Sequence, residues 1–356
     1  MAKQWKAQEL LGISGAYWAG CALQAAVRLD LFSVLAAGAR DEADLARALG
    51  CDGRALSMLI TALCAQDMLE REGSKVSASP EILRFLAKDS PDYTGFIIRH
   101  HAEIMKNWVN LADVVRRGRP WAEQEESAAA GRPDKEAKGS APDKDGNRGS
   151  VFTEDESARE DFLMGMFNVA RLQAERVAQA LDLSGRRSLI DIGGGPGTYA
   201  VYFCLKNPDL RADIFDLSTT GPFARKTAAR FGLEARIGFT PGNFNVDPLP
   251  GPYDVAWVSQ VIHGESEAEA AALLRKAGAA LNPGGLLCVQ EFTLADDLSG
   301  PAHAALFSLN MLVQTPGGRS YTAGEISAML KGAGAKRVRE LPEKLPMDCR
   351  IFIGEM

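Results

Sequence analysis

The sequence predicts an α/β chain: an open, doubly wound sheet in the back half behind an all-α, winged-helix-like front. Three observations carry this. Over residues 151–356, short apolar strand-like runs alternate with helical ones, the pattern of parallel β-α-β units. Over residues 1–122, apolar residues recur at helical spacing without a comparable series of strands. Between the two, residues 123–150 contain no aromatic residue and no Leu, Ile, Val or Met, so this stretch reads as a linker or insertion that buries too little surface to offset its ordering entropy. The expected division is therefore 1–122, 123–150 and 151–356.

In the front part, residues 16–29 and 31–37 are rich in Ala and Leu. They are followed by DEADLARALG, by CDGRALSMLITALCAQDMLERE, and by a short polar hairpin around residues 72–76. Helix, turn, longer helix and hairpin outline a winged helix-turn-helix. Charge argues against a nucleic-acid partner: residues 41–90 carry 6 Lys/Arg and 9 Asp/Glu, a balance of −3, and the whole chain is at −6. Tyr17, Trp18 and many alanines suit a helical dimer interface instead. Six cysteines stand singly, several inside apolar runs, which fits reduced thiols in a cytoplasmic protein. No run of 18 apolar residues is present, so no membrane span is expected. No Cys/His cluster has metal-ligand spacing, so no metal is expected.

In the back part, SLIDIG, ADIFDL, ARIGFTPGNF, YDVAWVSQVIH and LLCVQEF read as five successive strands. The intervening TYAVYFCLKN, GPFARKTAARFG and EAEAAALLRKAGAAL read as helices, the last closed by the turn NPGG. TAGEISAMLKGAGA is a helix opened by the capping box Thr322 to Glu325, and two short strands finish the chain. Ligands of such sheets bind at the carboxyl ends of the strands.

Those ends carry the chemistry. Asp191-Ile-Gly-Gly-Gly-Pro-Gly-Thr198 follows the first strand. A dinucleotide fingerprint needs Gly at 193, 195 and 198, and position 198 is Thr. The turn therefore suits a ligand without a pyrophosphate, and Asp191 beside it suits a cationic group. Asp216 ends the second strand, 19 residues after Gly197, where a carboxylate accepts hydrogen bonds from a ribose diol. Asn243 offers a donor and an acceptor to an adenine edge, and Phe244 offers a ring face. An adenosine with a positively charged, phosphate-free tail is S-adenosylmethionine.

DIGGGPG, the strand-end Asp216, GNFNVDPLP and VIHGE resemble the motifs of class I methyltransferases. More narrowly, the chain resembles the caffeate and acetylserotonin O-methyltransferases, which join a winged-helix-like dimerisation domain to a Rossmann-like catalytic domain. The resemblance implies a homodimer that uses S-adenosylmethionine, releases S-adenosylhomocysteine and methylates a small aromatic acceptor. It implies cofactor contacts from Asp191, Gly193, Gly195, Asp216, Leu217, Asn243, Phe244 and Ser259. Asn243 stands where the family usually has Asp, and Ser259 or Gln260 where plant members often have Lys. His263 matches the general base and Glu291 a carboxylate that orients it. A second carboxylate is expected where Ser320 stands. Met166, Phe167, Asn310 and Met311 match positions that line the acceptor pocket. The physics agrees with the base: methyl transfer from a sulfonium mainly requires alignment, and a neutral imidazole takes the proton of a phenol as its oxygen attacks. Two other readings remain: the same cofactor used for C-methylation or a non-methylating reaction, and a regulator that binds DNA through its front helices.

Overall fold

A computed structural model describes residues 3–121 and 155–356. The expected linker, residues 123–150, lies outside the described residues. The chain forms two compact units: Met1–Met105 with Glu160–Asn168, and Lys106–Arg159 with Val169–Met356.

The first unit is mostly helical. Helices Tyr17–Arg28, Leu31–Leu35, Glu42–Leu49 and Gly53–Cys64 pack around Ala26, Leu31, Phe32, Leu45, Ile60 and Leu63, all essentially inaccessible to water. Asp52 starts the longer helix by accepting from Ala55 N. The front also holds a small sheet: β2 (Glu70–Glu72) and β3 (Lys75–Ser77) form the hairpin expected around residues 72–76, and β1 (Arg40–Asp41), which the sequence reading lacked, joins them in the order β1-β3-β2. Only Val76 of β3 is buried and the two residues of β1 are half-buried, so β1 carries no hydrophobic period for a sequence reading to find. Near the unit's second segment, Arg99 holds Asp161 with both Nε and Nη2, at 2.9 and 2.6 Å.

The second unit is built on a seven-stranded sheet: β4 (Ser188–Ile192), β5 (Arg211–Asp216), β6 (Ile237–Pro241), β7 (Tyr253–Ser259), β8 (Leu281–Phe292), β9 (Arg337–Glu340) and β10 (Cys349–Glu355). Their order is β6-β5-β4-β7-β8-β10-β9. The first five run parallel, and β10 and β9 are antiparallel. Helices Ala174–Ala180, Thr198–Lys206 and Gly221–Arg230 cover one face, over Leu189, Val255, Trp257 and Ile351. Helices Glu267–Ala279 and Ala323–Gly332 cover the other, over Ile190, Val258, Val289 and Phe352. Because both faces are buried, the central strands read as continuous apolar runs. The order reverses between β4 and β7, which opens a crevice at their carboxyl ends.

Two boundaries differ from the sequence reading. NPGG does not stop before the fifth strand. It is absorbed into β8, whose pairing jumps from Tyr253↔Leu281 to Val255↔Leu286, so the Pro-Gly-Gly bulges out of a continuing ladder. The fourth strand ends at Ser259, and His263 lies beyond it in the short 3-10 turn Ile262–Gly264. Gln260, with φ +58, turns the chain out of the ladder.

Candidate active site

The glycine turn after β4 is shaped by packing at two positions and left bare at a third. Gly193, Gly195 and Gly197 have φ of +65, +54 and +77. A Cβ on Gly193 would lie 2.7 Å from Val261 Cγ2, and one on Gly197 2.3 Å from Ile214 Cδ1. A Cβ on Gly195 would meet nothing within 4 Å. Backbone is thus presented to open space at Gly195, where a ligand can approach it closely.

Asp216 holds this turn in place. Its Oδ2 accepts from Gly195 N at 2.8 Å, and its Oδ1 from Leu217 N at 2.7 Å and Thr220 Oγ1 at 3.0 Å. A carboxylate has about four acceptor sites. Three are used, and the Thr220 hydroxyl is a rotor that can give way. Burial raises the Asp216 carboxyl above its ordinary value, against the opposing pull of those N–H donors.

Asp191, on β4, is 2% exposed, and its Oδ2 has no hydrogen-bond partner. Burial, with the charge of Asp216 adding to it, pushes this carboxyl up to about 7. An orphaned, buried acceptor beside a bare glycine turn fits a cationic ligand group. On the neighbouring strand ends, Asn243 is 9% exposed; its N–H donates to Asp247 Oδ2 and its Oδ1 accepts from Asn245 N. Phe244 packs partly buried against the sheet's apolar layer. Ser259 Oγ donates to Gln290 Oε1 at 3.3 Å.

His263 and Glu291 come together. His263 Nδ1 lies 2.7 Å from Glu291 Oε2, while Glu291 Oε1 accepts from Val261 N at 3.0 Å and His263 N at 3.3 Å. A carboxylate only accepts, so in the neutral imidazole the proton sits on Nδ1 and Nε2 keeps a free lone pair. Phe292 stacks on the imidazole at 6.3 Å, and Phe307 meets it edge-on at 4.8 Å. The turn is also held from outside: Tyr321 OH donates to Glu265 O at 2.7 Å, and Gly318 lies so close that a Cβ would come 2.4 Å from His263 O.

Residues 108–336 match the model of the O-methyltransferase domain, and residues 11–81 that of the O-methyltransferase dimerisation domain. The chain belongs to the O-methyltransferase family. It is 32% identical to 3-hydroxy-5-methyl-1-naphthoate 3-O-methyltransferase of Streptomyces sahachiroi, over 93% of this chain and 90% of that one. It is 31% identical to tetracenomycin polyketide synthesis 8-O-methyl transferase TcmO of Streptomyces glaucescens, over 93% and 92%. Among solved structures, PigF with SAH superposes with a TM-score of 0.85 at 25% identity, covering 99% of this chain and 100% of that one. This O-methyltransferase is an S-adenosylmethionine-dependent enzyme.

The remaining expected positions are dispersed. In the O-methyltransferase, Ser320 is 1% exposed and donates to Ala304 O at 2.8 Å, so its hydroxyl ties the loop to the helix Ala302–Gln314. On that helix Asn310 Oδ1 accepts from Trp108 Nε1 at 2.7 Å, and Met311 is 8% exposed. Met166 and Phe167 belong to the first unit; Met166 is half-buried and Phe167 is buried. Sequence reasoning missed Thr220, Phe292 and Phe307. Phe292 had a signal, as the neighbour of Glu291 in VQEF. Phe307 had none, because it reaches the imidazole from a distant helix.

Proposed function

We propose that this O-methyltransferase moves the methyl group of S-adenosylmethionine to a hydroxyl of a small aromatic acceptor of phenolic or polyketide type, with His263 as general base. The observation that carries the reading is the 2.7 Å contact of His263 Nδ1 with Glu291 Oε2, which leaves Nε2 free to take a proton. The acceptor class is supported by the relatives named above, which act on a hydroxynaphthoate and a polyketide.

When bound, the cofactor supplies an electrophilic methyl group on a sulfonium sulfur. Asp216 accepts from the ribose, with Leu217 beside it. Asn243 and Phe244 take the adenine. Asp191, Gly193, Gly195 and Ser259 surround the methionine part. Glu291 orients the imidazole and balances the charge it gains on protonation. Phe292 and Phe307 keep water from its faces. Asn310 and Met311 line the acceptor. Ser320 is turned onto Ala304, so His263 works with a single carboxylate.

In this reading residues 151–356 are the catalytic part, and residues 1–122 pair two copies of the chain. The 22-residue run Ala7–Arg28 is long and apolar enough to cross a membrane by length and composition alone. Leu10, Leu11, Ile13, Tyr17 and Trp18 in it are exposed, and we assign them to the partner copy, since residues 11–81 match the dimerisation domain. The free thiols of all six cysteines fit the cytoplasm. The test is turnover of methyl-labelled cofactor with hydroxylated naphthoic acids and phenols, followed by mass analysis of the product. Label on oxygen is the expected result. Label on a ring carbon would favour C-methylation and overturn the oxygen assignment.

A further inference from the structure

The turn that delivers His263 contains one residue in a conformation that side chains other than Gly and Asn avoid. Gln260 sits at φ +58, directly after the last residue of β7. Two contacts keep it there. Its N–H donates to Gln290 O at 2.9 Å, and its side-chain Nε2 donates to Cys349 Sγ at 3.2 Å. Cys349 is 2% exposed on β10, opposite Phe292 of β8, and takes a second donor from Gln173 Nε2 at 3.6 Å. Burial pushes its thiol up to about 12, so the sulfur is a neutral acceptor. On the other side of the same turn, Val261 N and His263 N both donate to Glu291 Oε1.

We propose that Gln260 is a positioning residue: its side chain, anchored on the Cys349 sulfur, fixes the turn so that His263 meets Glu291 in register. The residue type fits the task. Gly would adopt the backbone angle without strain but has no anchor. An apolar side chain offers sulfur no donor. Glu would bring a second negative charge beside Glu291. The inference rests on the reading of His263 as base for its catalytic consequence, and on geometry alone for the anchoring.

The test uses Gln260→Gly, Cys349→Ala, the double variant and Cys349→Ser in the full chain. Each of the first two is expected to lower kcat about tenfold while KM for cofactor and acceptor stays within about twofold, the split expected when orientation rather than binding is lost. The double variant is expected to lose no more than either single one, because both remove one contact. Cys349→Ser keeps an acceptor and is expected to retain activity. A proton spectrum reads the geometry directly: the imidazole Nδ1–H resonance, assigned by its loss in His263→Ala, should move or broaden in Gln260→Gly. An unmoved resonance, or losses that add in the double variant, would overturn the proposal. A displaced resonance with full turnover in His263→Ala would leave the anchoring standing and remove the base.

Discussion

Glu291 holds His263 at two points: Oε2 is 2.7 Å from the imidazole Nδ1, and Oε1 takes the backbone N–H of the same residue at 3.3 Å. One carboxylate, itself 1% exposed, therefore sets both the ring's tautomer and the position of the turn that carries it. Its third contact, to Val261 N, leaves it well supplied with donors in a buried place.

His263→Ala should lower kcat by roughly 10²–10⁴-fold, the usual worth of a general base. Titration calorimetry with S-adenosylhomocysteine should give nearly unaltered affinity, because no cofactor contact is assigned to the ring. Glu291→Gln keeps one oxygen but turns an N–H₂ toward the ring or the backbone donors. A loss of about 10²-fold or more in kcat is expected, as the wrong tautomer is favoured.

Asp216→Ala removes the acceptor of Gly195 N, Leu217 N and Thr220 Oγ1 together. Affinity for S-adenosylhomocysteine should fall at least tenfold, through loss of the ribose contact and of the turn's shape. Thr220→Val removes only the hydroxyl and should leave affinity within about threefold, net hydrogen-bond worth being about 1 kcal/mol. Equal losses in the two variants would count against the ribose assignment.

Asp191 gives a pH signature. Its carboxyl is raised in the folded chain from 3.8 to about 7. The folded state therefore holds a proton that the unfolded state releases at lower pH. That contribution to stability is full below 3.8 and is lost as pH rises toward and through about 7. Asp191→Asn cannot ionise, so without cofactor its Tm should exceed that of the wild type more at about pH 8 than at about pH 5. The same variant should bind the cationic cofactor more weakly. A Tm difference independent of pH would remove the assignment.

Two glycine variants separate packing from access. Gly197→Ala puts a methyl group 2.3 Å from Ile214 Cδ1 at φ +77 and should unfold the turn, seen as a large drop in Tm. Gly195→Ala meets open space and costs only about 1–2 kcal/mol of backbone strain. It should fold, yet lose most cofactor affinity by equilibrium binding.

Ser320→Ala should leave kcat unchanged and lower stability by about 1 kcal/mol in urea unfolding, since its hydroxyl serves Ala304 O. A marked fall in kcat would instead give this serine a part in the proton path.

The pairing of His263 with Glu291 was implied only by the family resemblance. By itself the sequence determined the alternation of strands and helices, the strand-tip acids Asp191 and Asp216, and the glycine turn. These are local patterns, with apolar periodicity set by burial on both sheet faces and glycines set by backbone angle. Only the tertiary structure decided that His263 leaves the ladder through Gln260, that NPGG bulges within β8 and that Ser320 turns onto Ala304. It alone brought Phe307 and Cys349 to the base and its turn. Those outcomes depend on contacts between segments far apart in sequence, where a donor, an acceptor or a ring edge meets its partner only after the sheet has closed.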